Sequence, residues 1–152
     1  MIEYKDKNKM TMLGQAGEKL VCKYCRERGR KVSESIYTYD NQKDMMVNNS
    51  KAEVKTQMLF HMQDAFSIQN NQLPKCMNAK FLFFVKTPDK KDRTIKIYGC
   101  DKKEQRDFYD YRTKDGRNMK LIKRSKLKLL EIIRDERLIR EFESFSNSDW
   151  QK

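Results

Sequence analysis

Two acidic residues and a lysine lie close together in a stretch of sequence that predicts a β-hairpin. Asp44 precedes a turn at Asn49-Ser50, and the run Glu53-Val54-Lys55 follows it. A two-residue turn at this point opposes residue 44 to residue 55 and residue 46 to residue 53. Opposed residues share a face of a sheet, as do residues two apart. One face is therefore predicted to carry Asp44, Glu53, Lys55 and Gln57, and the other Met45, Val47, Ala52 and Val54.

The polar face has the groups that phosphodiester hydrolysis needs. Two neighbouring carboxylates repel each other, and a hard divalent cation such as Mg²⁺ relieves that repulsion. Such a cation polarises a phosphodiester and lowers the pKa of a bound water, while a lysine stabilises the developing negative charge. The alternative is a surface hairpin with a Lys–Asp cross-strand pair. Acid-x-lysine spacing also occurs at residues 3–5, 89–91 and 101–103, so the strand context carries the prediction.

Composition narrows the classes of partner. Of the 152 residues, 34 are Lys or Arg and 22 are Asp or Glu, which gives a net charge of +12. This excess favours binding to a polyanion, and nucleic acid is the expected partner. No apolar run is long enough to span a bilayer and no signal-peptide pattern opens the chain, so we expect an intracellular, cytoplasmic protein. The cysteines, including the pair Cys22 and Cys25, are expected to be reduced thiols and not a zinc site.

Periodicity predicts a mixed α/β fold in one domain over residues 1–152, with a core at about 11–100 and a basic segment and C-terminal helix at 101–148. A first helix is expected from Thr11 to Arg28, ended by Gly29. Strands are expected at 30–39, 44–48, 51–57, 80–86, 93–100 and 119–122, with a loop and short helix at 58–78. Residues 101–118 are expected to be a helix or a long loop, and 127–145 a helix.

A run of basic residues lies between residues 114 and 128 and contains a single acid. Phosphate contact is the favoured interpretation, and a solvated charged face is the alternative. For Gln72 and Lys75, which flank Pro74, a solvated loop is the favoured interpretation and contact with a phosphate is the alternative. The residues predicted to contact nucleic acid are Arg117, Lys120, Lys123, Arg124, Lys126 and Lys128.

Residues 11–100 resemble the PD-(D/E)XK nuclease superfamily, which has the restriction-endonuclease-like fold, with a central mixed sheet flanked by helices. The resemblance lies in Gly14-Gln15-Ala16-Gly17-Glu18, in Lys43-Asp44-Met45-Met46-Val47, in Ala52-Glu53-Val54-Lys55-Thr56-Gln57 and in the apolar strand 81–85. Lys43 stands where the family name places proline, a position that varies in the family.

The resemblance implies a metal-dependent endodeoxyribonuclease of a Holliday-junction-resolvase-like or phage-type branch, acting on branched DNA as a homodimer. It implies that Glu18, Asp44, Glu53 and the Val54 carbonyl bind Mg²⁺, which Mn²⁺ can replace, and that Lys55 is catalytic. Gln57 is either an accessory group that bonds a phosphate or a metal-bound water, or an ordinary strand residue. No small-molecule cofactor and no membrane are expected. The alternatives are a non-catalytic nucleic-acid-binding module, and an RNase or restriction-type enzyme of the same chemistry.

Overall fold

The computed structural model describes residues 5–33, 45–60, 63–102 and 104–145. Within these ranges the chain is a mixed α/β structure. The helices are α1 (Lys5–Glu27), α2 (Leu73–Asn78) and α3 (Glu136–Phe145). The strands are β1 (Val32–Ser33), β2 (Met45–Val47), β3 (Ser50–Gln57), β4 (Ala65–Gln69), β5 (Phe81–Lys86), β6 (Ile95–Cys100), β7 (Tyr109–Arg112), β8 (Asn118–Lys123) and β9 (Lys128–Ile133).

Helix α1 begins at Lys5, earlier than the predicted start at Thr11. Its end agrees with the sequence pattern, because Gly29 has a φ of +76° that a residue without a Cβ adopts at no steric cost. Gly29 N donates a hydrogen bond to Arg26 O, and Arg30 N donates one to Cys25 O. These bonds satisfy carbonyl groups that the last helical turn would otherwise leave unpaired.

The hairpin of β2 and β3 turns one residue earlier than the sequence predicts. Asn48 and Asn49 have φ values of +50° and +65°, so they form the two-residue turn. Val47 therefore pairs with Ser50 and Met45 with Ala52, and the predicted pairing of residue 46 with residue 53 is wrong. The predicted pairing of residue 44 with residue 55 lies outside the described residues. Because the turn is shifted by one residue, each residue of β2 pairs with a residue of β3 two positions earlier than predicted. Residues two apart in a strand share a face, so the predicted division into two faces is retained.

The main sheet has the strand order β1-β2-β3-β5-β6-β9. β3 runs parallel to β5, and every other pair of neighbours is antiparallel, so the sheet is mixed. α1 and α3 cover one face, with a core that includes Val21, Val47, Val85, Ile97 and Phe142.

A smaller sheet of order β4-β8-β7, together with α2, covers the opposite face of the main sheet. The rings of Phe66 in β4 and Phe84 in β5 stack with their centroids 4.9 Å apart. Because paired residues of parallel strands share a face, Glu53 lies beside Leu82, and Lys55 lies beside Phe84. The candidate site therefore lies on the side of the main sheet that carries α2 and the smaller sheet.

Three elements differ from the sequence prediction. β4 and β7 occupy segments that were expected to be loop or helix. The helix expected over 127–145 is instead the strand β9 followed by α3. Asp135 caps α3, since its Oδ1 accepts hydrogen bonds of 2.8 and 3.2 Å from Arg137 N and Leu138 N. The strands predicted at 80–86, 93–100 and 119–122 are confirmed as β5, β6 and β8.

None of the helices in the described ranges is both long enough and apolar enough to cross a membrane. All four cysteines are buried, and none of them forms a disulfide. Burial raises the pKa of Cys76 to about 11 and that of Cys100 to about 12. Such thiols stay protonated and unreactive at neutral pH.

Candidate functional site

Glu53 lies between two lysines on the face of β3 that α2 covers. Its Oε1 is 3.7 Å from Lys55 Nζ, and its Oε2 is 3.7 Å from Lys75 Nζ. Lys55 Nζ also donates a hydrogen bond of 3.1 Å to Gln72 Oε1. The Glu53 side chain is only 13% exposed, so its carboxylate is partly desolvated and its attraction to nearby cations is strengthened. We call Glu53, Lys55, Gln72 and Lys75 the Glu53 cluster.

Gln72 and Lys75 are members of this cluster that the sequence interpretation missed. They were interpreted as solvated loop residues, whereas both contact the strand that carries Glu53 and Lys55. Pro74 could have indicated their position, because proline favours the first turn of a helix and therefore predicts that α2 starts here. A helix that starts there places residues 72 and 75 about one turn apart, on the same side.

The Val54 carbonyl points toward the β2 side of β3. Lys51 O accepts a hydrogen bond from Lys80 N, and Gln57 O accepts one from Thr87 N, at the two ends of the β3–β5 ladder. Successive carbonyls of a strand point to alternate sides, so the carbonyls of 51, 53, 55 and 57 face β5 and that of Val54 faces β2. Among the described residues, the β2 pairing stops at Ala52. Asp44, which precedes Met45 in the sequence, lies outside the described residues.

Glu18 is half-buried on α1, which packs on the opposite face of the main sheet from the Glu53 cluster. The preceding residue, Gly17, touches Thr56, the neighbour of Lys55 in β3. Thr56 Oγ1 is buried and has no hydrogen-bond partner within the part of the chain that the structure describes. α1 therefore crosses β3 at the level of the cluster, and Glu18 follows the point of closest approach.

Gln57 connects the two sheets. Its Nε2 donates to Ser67 O at 2.9 Å, and its Oε1 accepts from Ser67 N at 2.8 Å. Ser67 lies in β4, so the Gln57 side-chain amide bonds the main-chain N–H and C=O of that strand as a neighbouring strand would. Both ends of the Gln57 amide are thus occupied by β4, which supports a positioning role for this residue.

The cluster has some of the donors that a hard divalent cation prefers. A carboxylate and a carbonyl oxygen are suitable ligands for Mg²⁺, and Glu53 and Val54 supply one of each. Within residues 5–33, 45–60, 63–102 and 104–145, however, no three His, Cys, Asp or Glu side chains come close enough to hold a metal ion. The remaining predicted acid on the hairpin, Asp44, lies outside those ranges. The described residues therefore fit part of the predicted metal site.

A cavity of about 770 Å³ lies next to Lys55. The cavity lies between the first half of α1 and β4. It runs along the part of β3 that follows Ala52, the last residue of β3 that pairs with β2 among the described residues. Lys55 and Gln72 belong both to its wall and to the Glu53 cluster. The other lining residues are Met10, Leu13, Thr56, Gln57, Met58, Leu59, Phe60, Ser67, Ile68, Gln69 and Thr87.

Most residues of the predicted basic surface already have partners in this chain. Arg124 makes two hydrogen bonds of 2.9 Å to the Asp64 carboxylate, and Lys123 Nζ donates to a main-chain carbonyl at 2.7 Å. Arg117 pairs with Asp115, and Lys120 pairs with Asp110. Lys126 and Lys128 are exposed. These internal pairs reduce the charge available to a phosphate chain, so nucleic-acid contact by this surface stays a prediction.

Comparisons of the chain with protein-family models, with curated proteins and with solved structures found no match.

Proposed function

We propose that this protein is a metal-dependent endodeoxyribonuclease, with Glu53 and Lys55 as the central residues of its active site. The observation that carries the proposal is the half-buried Glu53 carboxylate, with the Lys55 and Lys75 ammonium groups each 3.7 Å away. One acid beside two cations, of which Lys55 also lines an open cavity, suits the binding of an anionic phosphodiester. The net charge of +12 supports a polyanionic substrate.

The proposed metal is Mg²⁺, replaceable by Mn²⁺, held by the Glu53 carboxylate and the Val54 carbonyl together with Asp44. Glu18, which the resemblance implies as a further ligand, lies on α1 at the opposite face and would reach this metal only past the edge of β3. When bound, it would supply a polarised phosphate and a water of lowered pKa. Lys55 is directed by its hydrogen bond to Gln72 and by the Glu53 carboxylate, so its ammonium has a fixed position. That ammonium stabilises negative charge on the phosphate as the bond to the leaving oxygen breaks. Branched DNA as substrate and a homodimeric state remain parts of the proposal.

Cleavage assays test the proposal directly. The protein is incubated with end-labelled duplex, four-way-junction and single-stranded DNA, and with RNA, in Mg²⁺ or in EDTA. We expect cleavage of DNA in Mg²⁺ only, reduced about 100-fold or more in Glu53→Gln, Lys55→Met and Asp44→Asn. Glu27→Gln and Lys80→Met make the same chemical changes at exposed positions, and both should cleave normally.

The outcome separates this function from its main alternative. Cleavage that survives EDTA, or that survives both Glu53→Gln and Lys55→Met in folded protein, overturns the proposed site. A specific observation favours the alternative, a nucleic-acid-binding module without catalysis: Glu53 already has two counter-charges and needs no metal to balance it. Binding to DNA that falls steeply with salt, without cleavage of any substrate, would support that module.

A further inference from the structure

The cavity beside Lys55 differs in chemistry from a surface that follows a phosphate chain. Leu13, Met58, Leu59, Phe60 and Ile68 make most of its wall apolar. Polar groups lie at particular points: Lys55 and Gln72 where the cavity meets the Glu53 cluster, and Gln69 near the end of β4. Met10 is 62% exposed, and Gln69 and Gln72 are exposed, so these residues form an open rim.

An apolar concave wall with a few polar groups is typical of a site for a small organic group. The volume of about 770 Å³ lies within the range of such sites. A nucleobase suits this environment, because its faces are apolar and its edges need a few hydrogen-bond partners. Lys55 at one end supplies the positive charge that the attached phosphate requires. An apolar peptide would use the wall but would bring no anion to the Glu53 cluster, in which two lysines share one carboxylate.

We propose that the cavity takes one unpaired nucleotide of the strand that is cut, with its base against the apolar wall and its phosphate at Lys55. This inference rests on the proposed function and specifies its substrate. A base that is stacked and paired within a duplex cannot enter a concave pocket unless it first leaves the stack, which costs free energy. The site therefore selects nucleotides that are already unpaired, such as those at single strands, frayed ends and branch points.

Methyl NMR of methionine tests binding without any need for cleavage. Met10 and Met58 line the cavity, whereas Met77 lies in α2 and packs against the core between the two sheets. The protein is labelled at the methionine methyl groups and titrated in EDTA with dAMP or, as a matched probe without a base, with deoxyribose 5-phosphate. We expect dAMP to shift the Met10 and Met58 signals and to leave that of Met77 in place.

The probe without a base should produce much smaller shifts of the Met10 and Met58 signals. No shift with dAMP, or equal shifts with both compounds, overturns the inference. Cleavage of DNA by the same preparation shows whether the proposed function still holds, so the two failures are distinguishable.

A charge placed on the rim gives a second test. Gln69→Glu adds a carboxylate to the cavity wall, and Asn71→Asp adds the same charge at an exposed position that does not line the cavity. We expect Gln69→Glu to weaken binding of a single-stranded oligonucleotide about tenfold, the size of one lost base-stacking contact. Asn71→Asp should change it by less than about twofold. Equal effects of the two variants, or no effect of Gln69→Glu, would exclude the cavity as the nucleotide site.

Discussion

Thr56 Oγ1 lies directly against the backbone of Gly17, so close that a Cβ added to Gly17 would be 1.8 Å from it. Non-bonded atoms do not approach this closely. The same added Cβ would also be only 2.9 Å from the Thr56 Cβ, so a rotation of the threonine side chain would not relieve the overlap. Gly17 therefore lets α1 contact β3 at the neighbour of Lys55. This contact sets the distance between α1, which carries Glu18, and the strand that carries the Glu53 cluster.

Two glycines of the same helix should respond in opposite ways to alanine. Gly17→Ala is expected to destabilise the protein by about 1–3 kcal/mol, because the methyl group forces α1 away from Thr56. Gly14 has no atom within 4 Å of an added Cβ, so Gly14→Ala should stabilise by about 0.5–1 kcal/mol through helix propensity. Urea unfolding of both variants measures the difference. Equal effects on the free energy of unfolding would show that α1 does not pack on Thr56 as described.

Gln57 is expected to contribute to the free energy of unfolding and not to the affinity for a metal ion. Gln57→Ala removes the side-chain hydrogen bonds that connect β3 to Ser67, and we expect a loss of about 2 kcal/mol in the free energy of unfolding. Gln69→Ala, at an exposed position of β4, should change stability little. Calorimetric titration with Mn²⁺ completes the test. An unchanged stability together with weakened Mn²⁺ binding would instead assign Gln57 the accessory role implied by the resemblance.

The hairpin shows how much of the site could be predicted from sequence. Either Asn48-Asn49 or Asn49-Ser50 can form a two-residue turn, and the pattern alone does not choose between them. Both choices leave Glu53 and Lys55 on one face and Ala52 and Val54 on the other, so the division into faces was predictable although the register was not. The contacts that α2 makes with Glu53 and Lys55 were not predictable, because they depend on how residues 58–80 cross from β3 to the parallel strand β5.

β9 shows why a strand was predicted as a helix. Leu127, Leu130 and Ile133 recur at three-residue intervals, which is also the spacing of one helical face. The register against β6 shifts between Ile97 and Tyr98, so Leu130 is an extra residue in β9. A bulge of this kind lets Leu130 and Ile133 both reach the core under α1 and α3, although they are three residues apart. A bulge is a property of the paired strands, and the single sequence does not reveal it.

Asp92 should give the protein an acid-sensitive step in stability. Burial acts to raise the pKa of its carboxyl, but hydrogen bonds from Lys96 and Thr94 and the charge of Lys86 together hold that pKa far below 3.8. A carboxyl whose pKa is depressed by folding binds fewer protons in the folded state than in the unfolded state. Its stabilisation is therefore complete above the ordinary pKa and is lost as the pH falls below about 4.

The variant Asp92→Asn tests this step. At pH 7 it removes the carboxylate that pairs with the fully buried Lys86 ammonium at 3.2 Å, and we expect a loss of about 3 kcal/mol. The difference from the wild type should shrink as the pH falls below about 4, because the carboxyl of the unfolded chain then binds a proton that the folded protein still excludes. Urea unfolding across this range, with Asp107→Asn as an exposed control, supplies the measurement. A difference that is constant with pH would contradict the assigned role.

Lys75 should compete with a metal ion for Glu53, a prediction that depends on the proposed function. Its ammonium is 3.7 Å from Glu53 Oε2, and its side chain is 40% exposed, so it can move away when a cation binds. Lys75→Met removes a positive charge next to the ligand, and we expect Mn²⁺ to bind about fivefold more tightly by calorimetry. Lys80→Met, at an exposed lysine immediately before β5, should leave the affinity unchanged. Weaker Mn²⁺ binding in Lys75→Met would mean that Lys75 positions Glu53 for the metal. An unchanged affinity in both variants would place the metal away from Glu53 Oε2 and would remove the main support for Glu53 as a ligand.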